Sequence, residues 1–119
     1  LDIPRNVTPW LATIAVREAQ AGPSGAKVNL ASTIVIDDHL PFLVHGFPAL
    51  NLIDFEYGSA SGKHDYWHTE HDTIDKINPD SLLKTANLVI GILGRIENGT
   101  DVPAELRRSV PDATAQKPQ

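Results

Sequence analysis

Apolar residues recur at helical spacing in two segments, one near the start of the chain and one before its end. In the first, over residues 8–20, Thr8 suits the N-cap and Pro9 the first helical position. In the second, Asn78 can cap the helix and Pro79 can open it. The stripe expected to face the core of this second helix consists of Leu82, Ala86, Val89, Leu93 and Ile96, widened by Leu83, Ile90 and Ile92. The pattern predicts two amphipathic helices.

Two segments between these helices are rich in apolar residues and predict strands. Residues 27–36 form one short strand, or two with a break at Ser32, and residues 48–55 form a mostly buried strand. A short helix is predicted between them and ends near Gly46. This order of helices and strands predicts an α/β layered arrangement. Three strands make a thin sheet, and the wide apolar face of the last helix needs more sheet than they supply.

Composition narrows the classes of function. The 119 residues are 41% hydrophobic, which is enough to form the buried core of one domain or to contribute part of the core of a larger domain. A formal charge of −5 argues against a surface for nucleic acid or anionic membrane, and no apolar run approaches the ~20 residues that span a bilayer. The absence of cysteine excludes disulfides, thiolate zinc sites and a cysteine nucleophile.

The two ends of the sequence lead to expectations about truncation and domain organisation. Methionine is absent, so the sequence does not begin at a start codon, and we interpret it as processed or truncated. Residues 1–100 are interpreted as part of one domain. Prolines at 103, 111 and 118 indicate a mobile tail over residues 101–119.

Five histidines lie between positions 39 and 71, with several acidic residues close to them in sequence. Zinc binds imidazole and carboxylate when thiolates are absent, so the cluster is a candidate metal site. No complete local ligand set such as H-E-x-x-H is present. The alternative is that most of these histidines are solvated loop residues.

The segment Tyr66-Trp67-His68-Thr69 stands out within this cluster. It follows a loop beyond the C-terminal end of a predicted strand, where open α/β sheets bind ligands. His68 is placed there to bind a metal, and Trp67 offers a flat apolar wall to a small substrate. The alternative is a tryptophan at the edge of the core beside a histidine that is hydrogen-bonded in a turn. The residues themselves leave both open.

A second polar cluster is Asp37-Asp38-His39. Two adjacent carboxylates cannot both stay charged and buried without nearby donors. We expect Asp38 to cap the short helix and Asp37 to point into a site. His39 precedes Leu40-Pro41-Phe42, which we expect to pack inward, so His39 is interpreted as structural.

The order and spacing of these motifs resemble the C-terminal part of the zinc-dependent aminopeptidase and glutaminyl cyclase superfamily. The resemblance runs from about residue 30 to 95. It is carried by Asp37-Asp38-His39-Leu40-Pro41-Phe42, Gly46-Phe47-Pro48-Ala49-Leu50-Asn51-Leu52-Ile53-Asp54, Tyr66-Trp67-His68-Thr69, Asp72-Thr73, Asp75-Lys76-Ile77 and Ser81-Leu82.

The resemblance implies a mixed-sheet, three-layer α/β fold with zinc at the strand ends and His68 as a zinc ligand. It also implies that Trp67 forms part of the substrate pocket. Asp37 would belong to a hydrogen-bond network beside the catalytic acid/base. In animal cyclases a histidine occupies the position of Asn51, so this substrate-side part of the network is altered here.

Two branches of the superfamily fit the chain, and both act on the N-terminus of a peptide. Asp-Asp-His and Trp-His favour the cyclase branch, which forms N-terminal pyroglutamate and releases ammonia. Typical aminopeptidases have Ser-Asp-His and a tyrosine before the ligand histidine, and they are the alternative. A third possibility is a binding module without catalysis.

The resemblance further implies that the other zinc ligands and the acid/base glutamate lie in an N-terminal half that this chain lacks. The missing half is then its partner, and the chain alone is expected to be inactive. It would expose an apolar edge and could form homo-oligomers. The superfamily suggests a periplasmic or secreted location.

Overall fold

The computed structural model describes residues 1–107, which contain three α-helices and one small sheet. Strand β1 covers Asp2–Ile3 and strand β2 covers Asn29–Leu30. The α-helices are α1 (Pro9–Ala21), α2 (Leu40–Val44) and α3 (Pro79–Glu97), and single 3₁₀ turns cover Ile74–Lys76 and Ala104–Leu106. This mixture is compatible with an α/β fold. None of the helices described has the length and apolar character needed to span a bilayer.

The two long helices begin where the sequence predicts. Asn78 caps α3, since its Oδ1 accepts hydrogen bonds from the Asp80 and Ser81 amides at 2.9 and 3.2 Å. Thr8 occupies the N-cap position of α1, but its hydroxyl instead accepts the Ala49 amide at 2.9 Å. That bond ties the start of α1 to the segment 48–52.

The strand predictions were wrong in extent. β1 pairs in parallel with β2 over two residues, and Asp2 forms an antiparallel bridge with Ile53 on its other side. Only Asn29–Leu30 of the predicted strand 27–36 is paired, and the predicted strand 48–55 reduces to the bridge at Ile53. A ladder continues only where a neighbouring backbone supplies donors and acceptors, and the described residues offer few such neighbours here.

The core lies between α1, α3 and the short sheet. Its buried apolar members are Ile3, Ile14, Ala15, Ala26, Leu88, Ile92 and Val102. Helix α3 contributes through Leu88 and Ile92. The stripe predicted to face the core was assigned to the wrong side of α3, because Leu82, Ala86, Val89 and Leu93 are exposed. Of the predicted positions, Ile92 is buried and Ile96 packs partly against the core.

A buried ion pair joins the two long helices. Glu18 of α1 is only 7% exposed, and its carboxylate accepts a hydrogen bond from Arg95 Nε of α3 at 2.5 Å. Arg95 also reaches Asp101, which pairs in turn with Arg17 of α1. The Glu18 carboxylate beside it raises the pKa of the Arg95 guanidinium.

The first residues of the predicted tail, up to Arg107, contact the core. Val102 is buried in the core, and Arg107 Nε donates to its carbonyl at 3.0 Å. The remainder of that predicted tail, residues 108–119, lies outside the described residues.

Candidate functional site

The turn at Asp37 opens helix α2. The Asp37 Oδ1 atom accepts the Asp38 amide at 2.8 Å, and its backbone carbonyl accepts the Leu40 amide at 2.9 Å. The N-cap position of α2 belongs to His39, which makes no side-chain capping bond. The prediction that Asp38 caps this helix is therefore wrong, because the turn uses the preceding aspartate.

The side chains of Asp37, Asn51 and His39 meet beside this turn. Asn51 Nδ2 donates to Asp37 Oδ2 at 3.3 Å and lies 3.2 Å from His39 Nδ1. Hydrogen bonds from the Asp38 amide and then from Asn51 lower the pKa of the Asp37 carboxyl. Asp37 is thus held as a carboxylate by donors from two parts of the chain.

His39 is the buried member of this group. It is 6% exposed, and its Nε2 lies 3.0 Å from the Asn6 carbonyl oxygen. Burial agrees with the structural interpretation of this residue, but the reason given for it was wrong. Phe42 is 58% exposed rather than packed inward, because it lines an open cavity.

An open cavity of about 580 Å³ lies in front of these side chains. Its lining residues are Asp37, Asp38, His39, Phe42 and the segment 48–52. The cavity therefore combines the carboxylates of Asp37 and Asp38 with largely apolar walls, which are formed by the Phe42 ring and the segment 48–52.

Residues 57–72 form a loop that its own side chains hold together. The Tyr57 hydroxyl donates to Asp72 Oδ1 at 2.5 Å, and the Ser59 amide and hydroxyl both donate to Asp65 at 2.7 Å. The rings of Tyr57 and Tyr66 meet edge to face at 5.6 Å. The bond to Asp72 raises the pKa of Tyr57 to about 12, and the two bonds from Ser59 lower the pKa of Asp65.

This loop presents Trp67 and His68 to solvent. His68 adopts a left-handed backbone conformation with φ of 57°, and its ring stacks on the Trp67 indole at 4.2 Å between centroids. Trp67 is 63% exposed, so it does not plug the core edge. The structure brings Asp37 and Asn51 together but does not place Trp67 or His68 among the residues that line their cavity.

The histidine cluster suggested by spacing does not assemble within residues 1–107. No group of three or more histidine, aspartate or glutamate side chains there could hold a metal ion. His39 and His45 each have a ring nitrogen beside a backbone carbonyl, that of Asn6 and that of Pro41. Zinc requires about three protein ligands, so the described residues do not by themselves fit a complete zinc site, and no catalytic step through zinc follows from them.

Comparison with known proteins identifies the family. The family model of Peptidase family M28 matches residues 9–93, which is more than half of the chain. The chain belongs to this family. No curated protein and no solved structure matches it.

Membership of family M28 confirms the resemblance to the zinc aminopeptidase and glutaminyl cyclase superfamily. It supports a zinc metallopeptidase-like, hydrolytic function. M28 proteins are typically zinc-dependent. The matched segment contains Asp37, Asn51, Trp67 and His68.

One residue of the site was missed from the sequence. Asn6 holds the backbone of Val35 through two side-chain hydrogen bonds, and its carbonyl contacts His39. Asn6 lies 33 positions before His39 in an irregular segment, and no motif or periodicity links the two. Only the folded chain reveals the contact.

Proposed function

We propose that this chain forms part of a zinc-dependent exopeptidase that acts at the N-terminus of peptides, with His68 as one zinc ligand. The observation that most supports this proposal is that the imidazole of His68 is exposed and lies within the segment that matches family M28. Stacking on Trp67 uses the face of the His68 ring. Zinc binds the in-plane lone pair of a ring nitrogen, which such stacking leaves accessible.

We further propose that the remaining zinc ligands and an acid/base glutamate come from residues outside 1–107, in the N-terminal half of the same domain. Asp37 would then act beside that glutamate. Its ionised carboxylate, held by the Asp38 amide and Asn51, could orient a neighbouring group and stabilise its protonated form. The substrate would be a peptide N-terminus.

A second candidate is the cyclase branch, in which N-terminal glutamine closes to pyroglutamate and ammonia leaves. The exposed Trp67 indole beside His68 favours it, because a flat apolar surface next to the metal ligand could hold a small side chain in place. The family match by itself does not choose between the two branches.

A polypeptide that joins this chain to the proposed N-terminal half would test the function. An aminoacyl chromogenic substrate and a glutamine-initiated dipeptide distinguish the two branches. We expect activity on one of them, and we expect His68→Ala to lose both zinc, measured by elemental analysis, and activity. His45→Ala is the control, because the exposed His45 ring already contacts the Pro41 carbonyl. Full zinc content and activity in His68→Ala would overturn the assignment.

Trp67→Ala separates the branches further. If the chain is cyclase-like, this change should reduce turnover of the glutamine substrate while the zinc content stays unchanged. Unchanged turnover would remove Trp67 from the pocket. Turnover should fall without loss of zinc because the Trp67 indole would position the substrate and would not touch the metal.

The 119-residue chain alone provides a direct test of whether the zinc ligands are divided between this chain and the proposed N-terminal half. We expect calorimetric titration with zinc to detect no tight, stoichiometric binding, because one imidazole is too few ligands. Tight binding that disappears in His68→Ala would show that this chain holds the ion by itself.

A further inference from the structure

We infer that His39 is a positioning residue, which fixes the orientation of the Asn51 amide and through it the carboxylate of Asp37. Four groups form one connected series of hydrogen bonds, from the Asn6 carbonyl through the His39 ring and the Asn51 amide to Asp37 Oδ2, in which Asn51 donates to both of its neighbours. The consecutive distances are 3.0, 3.2 and 3.3 Å.

The first contact sets the tautomer of His39. A backbone carbonyl oxygen can only accept, so the Nε2 atom that faces Asn6 must carry a proton. In the neutral ring the other nitrogen, Nδ1, then has a free lone pair. That lone pair accepts a hydrogen bond from Asn51 Nδ2 at 3.2 Å.

The next contact sets the orientation of Asn51. Its Nδ2 group has two protons, and both His39 Nδ1 and Asp37 Oδ2 lie within hydrogen-bonding distance of it. Rotating the amide by half a turn would place its oxygen against a carboxylate oxygen and a ring lone pair. Both contacts would be repulsive, so His39 and Asp37 together permit one orientation.

Asn6, at the start of this series of hydrogen bonds, is held in place by two side-chain bonds. The side chain of Asn6 donates to the Val35 carbonyl at 2.6 Å and accepts the Val35 amide at 3.0 Å. His39 is 6% exposed, so water has little access with which to replace its bonds. The position of the Asn6 carbonyl is therefore transmitted to Asn51 through a buried ring.

The last contact acts on Asp37. Asn51 and the Asp38 amide supply donors to its two oxygens, and the charged groups that line the cavity are Asp37 and Asp38. The network thus holds an ionised carboxylate at a fixed place on the cavity wall. Its use in peptide chemistry rests on the proposed function, whereas the positioning itself does not.

The tautomer can be measured directly on the unaltered 119-residue chain. Long-range ¹H–¹⁵N correlation spectra at neutral pH should show His39 as a single Nε2-protonated form. A ring protonated at Nδ1, or a rapidly averaged mixture of the two tautomers, would overturn the inference. Neither zinc nor activity is involved, so this result is independent of the proposed exopeptidase.

Two variants separate positioning from simple structural support. His39→Asn places an amide oxygen near the site of Nδ1 and keeps an acceptor for Asn51. His39→Gln places an amide nitrogen near the site of Nε2, which keeps the bond to Asn6 but loses that acceptor. The readout is the pKa of the Asp37 carboxyl from ¹³C-detected titration.

We expect the pKa of Asp37 to rise in His39→Gln and to stay near that of the unaltered chain in His39→Asn. Asn51→Ala should raise it in the same direction as His39→Gln. Equal pKa values in the two His39 variants, or a rise in His39→Asn alone, would overturn the inference. If neither His39 variant folds, the tautomer of the unaltered chain decides the matter.

Discussion

Among the individual residues, the carboxylate of Glu18 places the strictest steric demand on its neighbours. It occupies a niche between α1 and α3 that exists only because two nearby positions lack a side chain. A Cβ atom built on Gly22 or on Gly91 would lie 2.0 or 2.2 Å from Glu18 Oε1. Gly91 weakens α3 by propensity and Gly22 follows the last residue of α1, and the ion pair with Arg95 needs a glycine at both positions.

Two glycines of α3 differ in the space that a methyl group would find. Gly91→Ala should lower the free energy of unfolding, because the new methyl group displaces the Glu18 carboxylate from Arg95. Gly94→Ala is the matched control, since within residues 1–107 no atom beyond its chain neighbours and its own helix backbone lies within 4 Å of the Cβ position there. It should raise stability by about 0.4–1 kcal/mol through helix propensity. Urea denaturation of both variants measures this, and stabilisation by both would contradict the steric account.

The hydrogen bond from Tyr57 to Asp72 should make stability depend on pH in the alkaline range. Its pKa of about 12, raised first by the hydrogen bond to Asp72, exceeds the ordinary value of 10. The unfolded chain therefore loses the phenol proton at lower pH than the folded chain, so this contribution to stability is complete below pH 10 and is lost as pH rises through 12. Ultraviolet titration should show a phenol with a pKa of about 12 that is absent in Tyr57→Phe. Two tyrosines that both ionise near pH 10 would contradict it.

At the scale of elements, local sequence determined the long helices much better than the strands. The side chain of Asn78 and the ring of Pro79 act within one turn of where they lie, so the start of α3 was predictable. A strand depends on partners distant in sequence, and the segments 27–36 and 48–55 have few among residues 1–107. Of the site, the adjacent carboxylates of Asp37 and Asp38 suggested that Asp37 points into a site, and the resemblance implied the hydrogen-bond network to which Asp37 belongs. The anchor at Asn6 depends on tertiary contacts alone.

The two faces of α3 give the third prediction. Leu88 is fully buried between the helices, whereas Leu83 of the same helix is 60% exposed. Leu88→Ala should cost about 2–5 kcal/mol of unfolding free energy, because it removes buried methyl groups and leaves a cavity. Leu83→Ala should change stability by no more than about 0.5 kcal/mol. Thermal or urea denaturation measures both, and equal losses would mean that the outer face of α3 is also packed.

At the scale of the molecule, α3 carries more apolar surface than residues 1–107 cover. The wide apolar face was predictable from its pattern, but which side meets the core was not. Both sides of α3 are apolar, so periodicity could not rank them. The structure packs Leu88 and Ile92 inward and leaves the other side open. The exposed residues of this outer face are Leu82, Leu83, Ala86, Val89, Ile90 and Leu93.

The outer face of α3 leads to the last prediction, which concerns self-association of the chain. Contiguous exposed apolar surface drives association in water, so the 119-residue chain should elute from size-exclusion columns at a volume that depends on its concentration. Replacing Leu83 and Ile90 together by lysine should weaken that dependence without lowering the urea midpoint, since these side chains are 60% and 66% exposed. The matched control is Thr13→Lys with Gln20→Lys, which adds the same two charges at the same spacing on exposed positions of α1. A concentration-independent monomer before any substitution would show that the described core is sufficient and that the outer face of α3 tolerates water.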